Sequence, residues 1–96
     1  MIISFGNKAT EALFNGIHSK NTRHLPSNIN AVTFRKLDMI NAALSVEDLK
    51  SPPGNRLEQL SGDLKGFYSI RINSQFRLIF KFAQGNASEV SIIDYH

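Results

Sequence analysis

The stretch FYSIRINSQFRLIFKF, residues 67–82, alternates apolar and polar side chains on both sides of a short polar loop. Such alternation is typical of strands with one buried face, so we predict a β-hairpin. A three-residue loop at 73–75 keeps every apolar side chain on one face, whereas a two-residue loop would mix the faces. The predicted register therefore sets Arg71 directly opposite Arg77, on the face away from the apolar side chains.

Two facing arginines need an explanation, because like charges directly opposite each other destabilise a strand pair. A bound anion between Arg71 and Arg77 would remove this cost, and phosphate is the cellular anion that suits the geometry. The alternative is that both arginines are solvated on the open face of a sheet. The local pattern alone does not choose between the two.

Length and composition indicate a single globular domain spanning residues 1–96, with 42% hydrophobic residues. No stretch approaches the roughly 18 apolar residues of a membrane span, and the N-terminus lacks the pattern of a signal peptide. The chain has no cysteine, so we expect neither disulfides nor thiolate chemistry. These features favour a cytoplasmic protein that does not contact a membrane.

Basic residues are concentrated in one part of a chain whose net charge is +3. No acidic residue lies between Glu11 and Asp38. The cations of this segment are Lys20, Arg23, Arg35 and Lys36. They could form a surface for RNA or for an acidic protein, although a solvated loop and helix face would have the same composition.

Local signals along the chain predict an α+β fold. The expected elements are a strand at 2–5, a helix capped by Asn7, a helix from Pro26, a short helical turn with a capping box at Ser45, a weak strand within 56–60, the hairpin, and a last strand at 89–95. The second helix is expected to face the core with Ile29, Val32, Leu37, Ile40, Ala43 and Leu44. We therefore predict an N-terminal strand, two helices and then an antiparallel sheet of about four further strands. The helices would pack on one sheet face and leave the other open.

Metal chemistry is not expected, because His18, His24 and His96 are dispersed and no ligand spacing is recognisable. No glycine-rich turn for a nucleotide phosphate occurs either, so we expect no cofactor.

The chain ends on three residues that can exchange protons or hydrogen bonds, Asp94, Tyr95 and His96. Cleavage of RNA without a metal requires a base for the 2′-hydroxyl and a cation near the phosphoryl oxygens, and it benefits from an acid for the leaving oxygen. Arg71, Arg77, Tyr95 and His96 would supply these groups if the last strand lies beside the hairpin. The alternative is a frayed, solvated C-terminus.

The chain resembles the HigB branch of the RelE/ParE toxin superfamily, particularly its GraT-like members. The similarity covers both ends and nearly all of the second half. The matching segments are Met1–Phe5, Ser51–Glu58, Leu60–Gly62, Tyr68–Asn73, Gln75–Arg77 and Ile93–His96.

This resemblance implies a bacterial toxin that cuts messenger RNA on the translating ribosome. It implies that Arg77 neutralises the charge of the phosphate. It also implies that Asp94, Tyr95 and His96 position the nucleotide and transfer protons. It also makes Arg71 and Asn73, with Arg56 of the matching loop, candidates for substrate binding. The basic residues Lys20, Arg23, Arg35 and Lys36 would then contact ribosomal RNA or messenger RNA.

The chain departs from the family at positions that matter for catalysis. Some HigB relatives carry a histidine and a lysine where Glu58 and Ser61 stand here, which suggests weaker or differently organised catalysis. Phe76 replaces a frequent tryptophan and is compatible with core packing.

The resemblance also implies partners and leaves alternatives. We expect a HigA-like helix-turn-helix antitoxin encoded beside this gene, with operator DNA contacted only through it. A ParE-like inhibitor of DNA gyrase on the same fold, or a catalytically inactive antitoxin-binding module, are the other functions that the sequence permits.

Overall fold

The computed structural model describes residues 1–16 and 29–94, and they form the predicted α+β arrangement. The helices are α1 Lys8–Phe14 and α2 Asn30–Ala42, and short 3₁₀ helices span Val46–Lys50, Pro53–Asn55 and Gly62–Leu64. The strands are β1 Glu58–Gln59, β2 Tyr68–Arg71, β3 Phe76–Ala83 and β4 Asn86–Asp94. Neither α1 nor α2 is long and apolar enough to cross a membrane.

The four strands form one antiparallel sheet in the order β1-β2-β3-β4. The N-terminal residues lie beside β4 in parallel, through isolated bridges of Ile2 with Ala87 and Phe5 with Val90. This run was predicted as a strand, but it makes two separate bridges rather than a continuous ladder. Because β4 pairs with β3, the last strand does lie beside the hairpin, as the catalytic hypothesis requires.

The hairpin has the predicted register, with Ile70 opposite Leu78 and Arg71 opposite Arg77. Asn73 closes the loop, because its Oδ1 accepts hydrogen bonds from the backbone N–H of Gln75 at 2.8 Å and of Phe76 at 2.7 Å. A short polar side chain that bonds to the backbone two and three residues later is a common turn device.

The core lies between α2 and the apolar face of the sheet. Leu37 and Ile40 from α2 and Leu78 and Phe80 from β3 are all fully buried. Leu44 was predicted to face this core, but that prediction is wrong, since the residue is 84% exposed. The helix ends at Ala42 and the backbone becomes extended at the next residue, so the helical spacing no longer applies to Leu44.

Helix α1 is fixed to the sheet by its first turn. Asn7 caps the helix as predicted, with Oδ1 accepting from the Thr10 N–H at 2.9 Å. The hydroxyl of Thr10, which is fully buried, donates to the same oxygen and accepts from the Ile92 N–H of β4 at 2.9 Å. One threonine thus connects a helix cap to the strand that ends near the candidate site.

The structure describes the second helix as Asn30–Ala42. Pro26, which was expected in its first turn, lies outside the described residues, so the predicted start of the helix stays a prediction. The short turn after Ser45 is present, with the Asp48 carboxylate accepting from the Leu44 and Ser45 amides at 2.9 and 3.2 Å.

We predict that Thr10→Val lowers the free energy of unfolding by about 1–3 kcal/mol, because it leaves the buried Ile92 N–H without its acceptor. Urea denaturation followed by circular dichroism measures the change. Thr10→Ser keeps the hydroxyl oxygen and should lower the free energy of unfolding clearly less than Thr10→Val does. Equal losses in the two variants would contradict the assigned hydrogen bond.

Candidate active site

The Arg77 guanidinium is buried, with the residue only 6% exposed. Its Nη1 donates to the hydroxyl of Ser69 at 2.6 Å and lies 3.3 Å from Oε2 of Glu58. Its Nη2 donates to the carbonyl oxygen of Arg56 at 3.4 Å. The side chain therefore leaves β3, passes over β2 and reaches β1 and Arg56, two residues before that strand.

This burial corrects the expectation that both hairpin arginines lie on an open sheet face. Two of the acceptors of Arg77 are the carbonyl oxygen of Arg56 and the carboxylate of Glu58, in the edge strand β1. A buried charge is tolerated only when it is paired and hydrogen-bonded, and Arg77 meets this condition. The hypothesis of two solvated arginines is therefore wrong for Arg77.

Arg71 stands directly opposite Arg77, but its side chain takes another direction. Its Nε donates to the carbonyl oxygen of Asn73, in the hairpin loop, at 3.2 Å. The two guanidinium groups are thus held towards opposite ends of β2, which reduces their repulsion. Among the described residues, the carboxylate of Glu58 lies 3.3 Å from Arg77 Nη1, at a position that the sequence marked only as a departure from the family.

The end of β4 lies next to these arginines. Ile93 pairs with Arg77 and Asp94 pairs with Phe76. Oδ2 of Asp94 accepts from Nε2 of Gln75, in the hairpin loop, at 3.2 Å. The predicted site residues Tyr95 and His96 follow in the sequence but lie outside the described residues, as do Lys20 and Arg23.

Helix α2 contributes one of the two predicted basic residues to the same region. Arg35 is exposed, whereas Lys36 is partly buried and donates from Nζ to Oδ1 of the fully buried Asn55. Burial lowers the pKa of the Lys36 amine below its ordinary value of 10.5, and the positive charges of Arg35 and Arg71 lower it further. Lys36 therefore lies within the electrostatic field of the candidate site.

Sequence reasoning assigned no function to Ser69 and Asn55, although both contact the site. Ser69 alternates in phase with Arg71, so the period-two pattern already placed its hydroxyl on the arginine face. Asn55 follows two prolines and a glycine, which indicated only an irregular turn. Nothing in the sequence signalled that this asparagine would be buried.

The candidate substrate-binding residues differ in whether their side chains are exposed or already hydrogen-bonded. Arg56 has an exposed side chain and contacts Arg77 through its backbone. The side-chain oxygen of Asn73 is engaged in the loop. Binding of substrate by Arg56, Asn73 and Asp94 stays a prediction.

The arrangement is suited to binding an anion. A guanidinium presents a planar fork of N–H donors that matches phosphate and carboxylate oxygens. The three cations Arg77, Arg71 and Lys36 outnumber the two carboxylates of the region, Glu58 and Asp94. Within residues 1–16 and 29–94, no group of three or more His, Asp or Glu side chains is placed to hold a metal ion.

The fold is shared with the solved structures of YoeB and YafQ. YoeB from Staphylococcus aureus, solved in complex with YefM, aligns with a TM-score of 0.61 and 17% identity over 100% of this chain and 98% of that one. YafQ from Escherichia coli aligns with a TM-score of 0.60 and 16% identity over 98% of this chain and 91% of that one. At these identities the similarity defines the fold alone.

Sequence comparison defines the family. The model of the RelE-like toxin of the type II toxin–antitoxin system HigB matches residues 4–96. Toxin HigB-1 from Vibrio cholerae is 45% identical over 87 residues, which are 91% of this chain and 90% of that protein. Endoribonuclease HigB from Proteus vulgaris is 30% identical over the whole of both chains.

The chain therefore belongs to the HigB-like family of type II toxins, and the resemblance noted in the sequence is confirmed. The predicted endoribonuclease class agrees with the name of the Proteus vulgaris relative.

We predict that Arg35→Met raises the pKa of the Lys36 amine, because removing a neighbouring positive charge makes protonation of the ammonium easier. Lysine ¹³Cε resonances followed from pH 8 to pH 12 or so by NMR measure the change. Lys65→Met removes the same charge from an exposed residue in the turn before β2 and serves as the control. An unchanged Lys36 pKa in Arg35→Met would contradict the assigned coupling.

Proposed function

We propose that this protein is an endoribonuclease that cleaves messenger RNA bound to the translating ribosome, with the RNA 2′-hydroxyl as nucleophile and without a metal ion. The observation that carries the proposal is the buried Arg77, held by Ser69, Arg56 and Glu58 one strand away from the end of β4. A guanidinium fixed in this way is preorganised for the charge that develops on a phosphoryl group. The family membership supports the same chemistry.

In the proposed reaction, phosphorus forms a bond to the 2′-oxygen and loses its bond to the 5′-oxygen. The 2′-oxygen attacks the adjacent phosphorus after losing its proton to a base, and the bond to the 5′-oxygen breaks as that oxygen receives a proton. The products are a 2′,3′-cyclic phosphate and a 5′-hydroxyl. No oxidant, metal or external nucleophile is required.

The proposal distributes roles over the named residues. Arg77 and Arg71 neutralise the phosphoryl oxygens, and His96 carries a proton, since an imidazole titrates near neutral pH. Tyr95 and Asp94 orient the nucleotide, while Asn73 and Arg56 bind the flanking RNA. The cations proposed to contact RNA are Lys20, Arg23 and Arg35. Lys36, the fourth cation of the sequence-based prediction, donates instead to Asn55.

The proposal includes partners and a location. The structures that share this fold include a YoeB–YefM complex, and the family is defined within toxin–antitoxin systems. We therefore propose an antitoxin of the HigA-like helix-turn-helix type, through which alone operator DNA is contacted. Action on ribosomes places the protein in the cytoplasm.

Expression of this protein alone should arrest growth, and coexpression with the neighbouring antitoxin should restore growth. The absence of growth arrest would support the alternative of an inactive antitoxin-binding module.

We predict that Arg77→Ala lowers the single-turnover rate of cleavage of ribosome-bound messenger RNA by at least ~100-fold, since its guanidinium stabilises the transition state. Deletion of His96 should also lower the rate strongly, because the proton carrier is lost. Arg77→Lys keeps the charge but not the planar fork, so its cleavage rate should remain well below that of the natural protein. Circular dichroism confirms that each variant is folded.

Near-normal rates in both Arg77→Ala and the chain without His96 would refute these assignments. Mapping of the cleavage ends with and without ribosomes tests the ribosome dependence directly. A gyrase supercoiling assay tests the alternative, and inhibition of supercoiling without RNA cleavage would overturn the proposed function.

We predict that Glu58→Gln tightens binding of a short single-stranded RNA by roughly two- to fivefold, or about 0.4–1 kcal/mol, because phosphate then competes with no carboxylate for Arg77. Fluorescence anisotropy at fixed salt measures the affinity. Glu47→Gln is the matched control, since Glu47 pairs with Lys50 in the 3₁₀ helix Val46–Lys50. Equal effects in the two variants would show a general charge effect rather than competition at Arg77.

A further inference from the structure

Asn55 is a buried polar residue whose side-chain amide is hydrogen-bonded through both its nitrogen and its oxygen. It is fully buried at the end of the 3₁₀ helix Pro53–Asn55. Its Nδ2 donates to the carbonyl oxygens of Leu49 at 3.2 Å and Ser51 at 3.4 Å. Its Oδ1 accepts from Nζ of Lys36. The asparagine thus fixes the loop against the preceding 3₁₀ helix and against α2.

The residue after Asn55 has a conformation that side chains rarely adopt. Arg56 has φ 47° and ψ 55°, in the left-handed region. This turn directs the Arg56 carbonyl oxygen to Nη2 of Arg77 and leads the chain into β1, where Glu58 faces Nη1. Two of the acceptors of Arg77 therefore depend on how Asn55 ends the loop.

Lys36 anchors this loop from a different layer of the fold. It belongs to α2, whereas Arg77 belongs to the sheet, and Asn55 stands between them in the chain of contacts. The contacts run from Lys36 Nζ to Asn55 Oδ1, through the Asn55–Arg56 backbone, and from the Arg56 carbonyl to Arg77. The hydrogen bond to the fully buried Asn55 fixes the end of the Lys36 side chain.

We propose that Lys36 and Asn55 are positioning residues of the active site, which hold the loop that fixes the Arg77 guanidinium. Lys36 acts through Asn55 and not by touching the RNA. The kinetic part of this inference rests on the proposed function, whereas its structural part concerns Arg77 alone. The inference differs from the sequence-based prediction, which treated Lys36 as one of four cations that contact RNA.

Lys36→Met is the decisive variant, because it removes the donor and keeps a stem of similar length and apolar character. In single-turnover cleavage of ribosome-bound messenger RNA, we expect the maximal rate to fall about tenfold, the change that 1.4 kcal/mol produces. The ribosome concentration at half-maximal rate should change less than about twofold, because Lys36 does not contact substrate. Lys36→Arg restores a donor and should recover most of the rate.

The controls separate positioning from other roles. Lys65→Met removes one positive charge from an exposed turn residue and should leave both kinetic parameters unchanged. A raised half-saturating concentration at an unchanged maximal rate in Lys36→Met would show direct RNA contact and overturn the inference. A lowered melting temperature with unchanged kinetics would show a purely structural role and would also overturn it.

An NMR measurement tests the inference independently of cleavage. The Nε–Hε signal of Arg77 in the free protein should shift and exchange faster with solvent in Lys36→Met, and remain unchanged in Lys65→Met. If the natural protein cleaves no RNA, the proposed function fails while this measurement still decides the positioning role. An unperturbed Arg77 signal in Lys36→Met would overturn the inference, whatever happens to activity.

Discussion

The site depends on one constraint, that the Arg77 guanidinium is buried and must have acceptors for its N–H groups. Removing a charge from water costs several kcal/mol unless pairing and hydrogen bonds compensate for it. Ser69, Glu58 and the Arg56 carbonyl provide this compensation from β2, β1 and the turn before it. The two-residue strand β1 and the loop ended by Asn55 are therefore best understood as the structures that make a buried arginine possible.

The same constraint explains how the hairpin tolerates two arginines in register. Arg71 and Arg77 are directly opposite, and without further contacts their repulsion would weaken the strand pair. Arg77 is drawn towards β1 by Ser69 and Glu58, and Arg71 is drawn to the hairpin loop by the Asn73 carbonyl. The protein thus relieves the repulsion internally, and a bound phosphate is not needed for the hairpin to form.

Local patterns predicted the local structure, and tertiary contacts decided the rest. The period-two alternation defined the register of the hairpin, and the cap at Asn7 follows from side-chain chemistry within four residues. The burial of Arg77 could not be predicted in this way, because its acceptors at Arg56 and Glu58 lie about twenty positions away and reach it only when β1 pairs with β2. Leu44 was misplaced for a similar reason, since helical spacing does not show where a helix ends.

The difference in exposure between Arg77 and Glu58 has a consequence for how an anion would bind. The Arg77 side chain is 8% exposed and the Glu58 side chain is 50% exposed, so the two members of the ion pair differ in freedom. Arg77 is also held by Ser69 and the Arg56 carbonyl, whereas half of the Glu58 side chain is open to solvent. A phosphate that took the place of the Glu58 carboxylate would supply the negative charge that the buried Arg77 requires, and it would meet a guanidinium that is already oriented. In partly buried surroundings the attraction between unit charges is stronger than in water. In the proposed reaction, a preorganised Arg77 would therefore stabilise the phosphoryl group most where its negative charge increases.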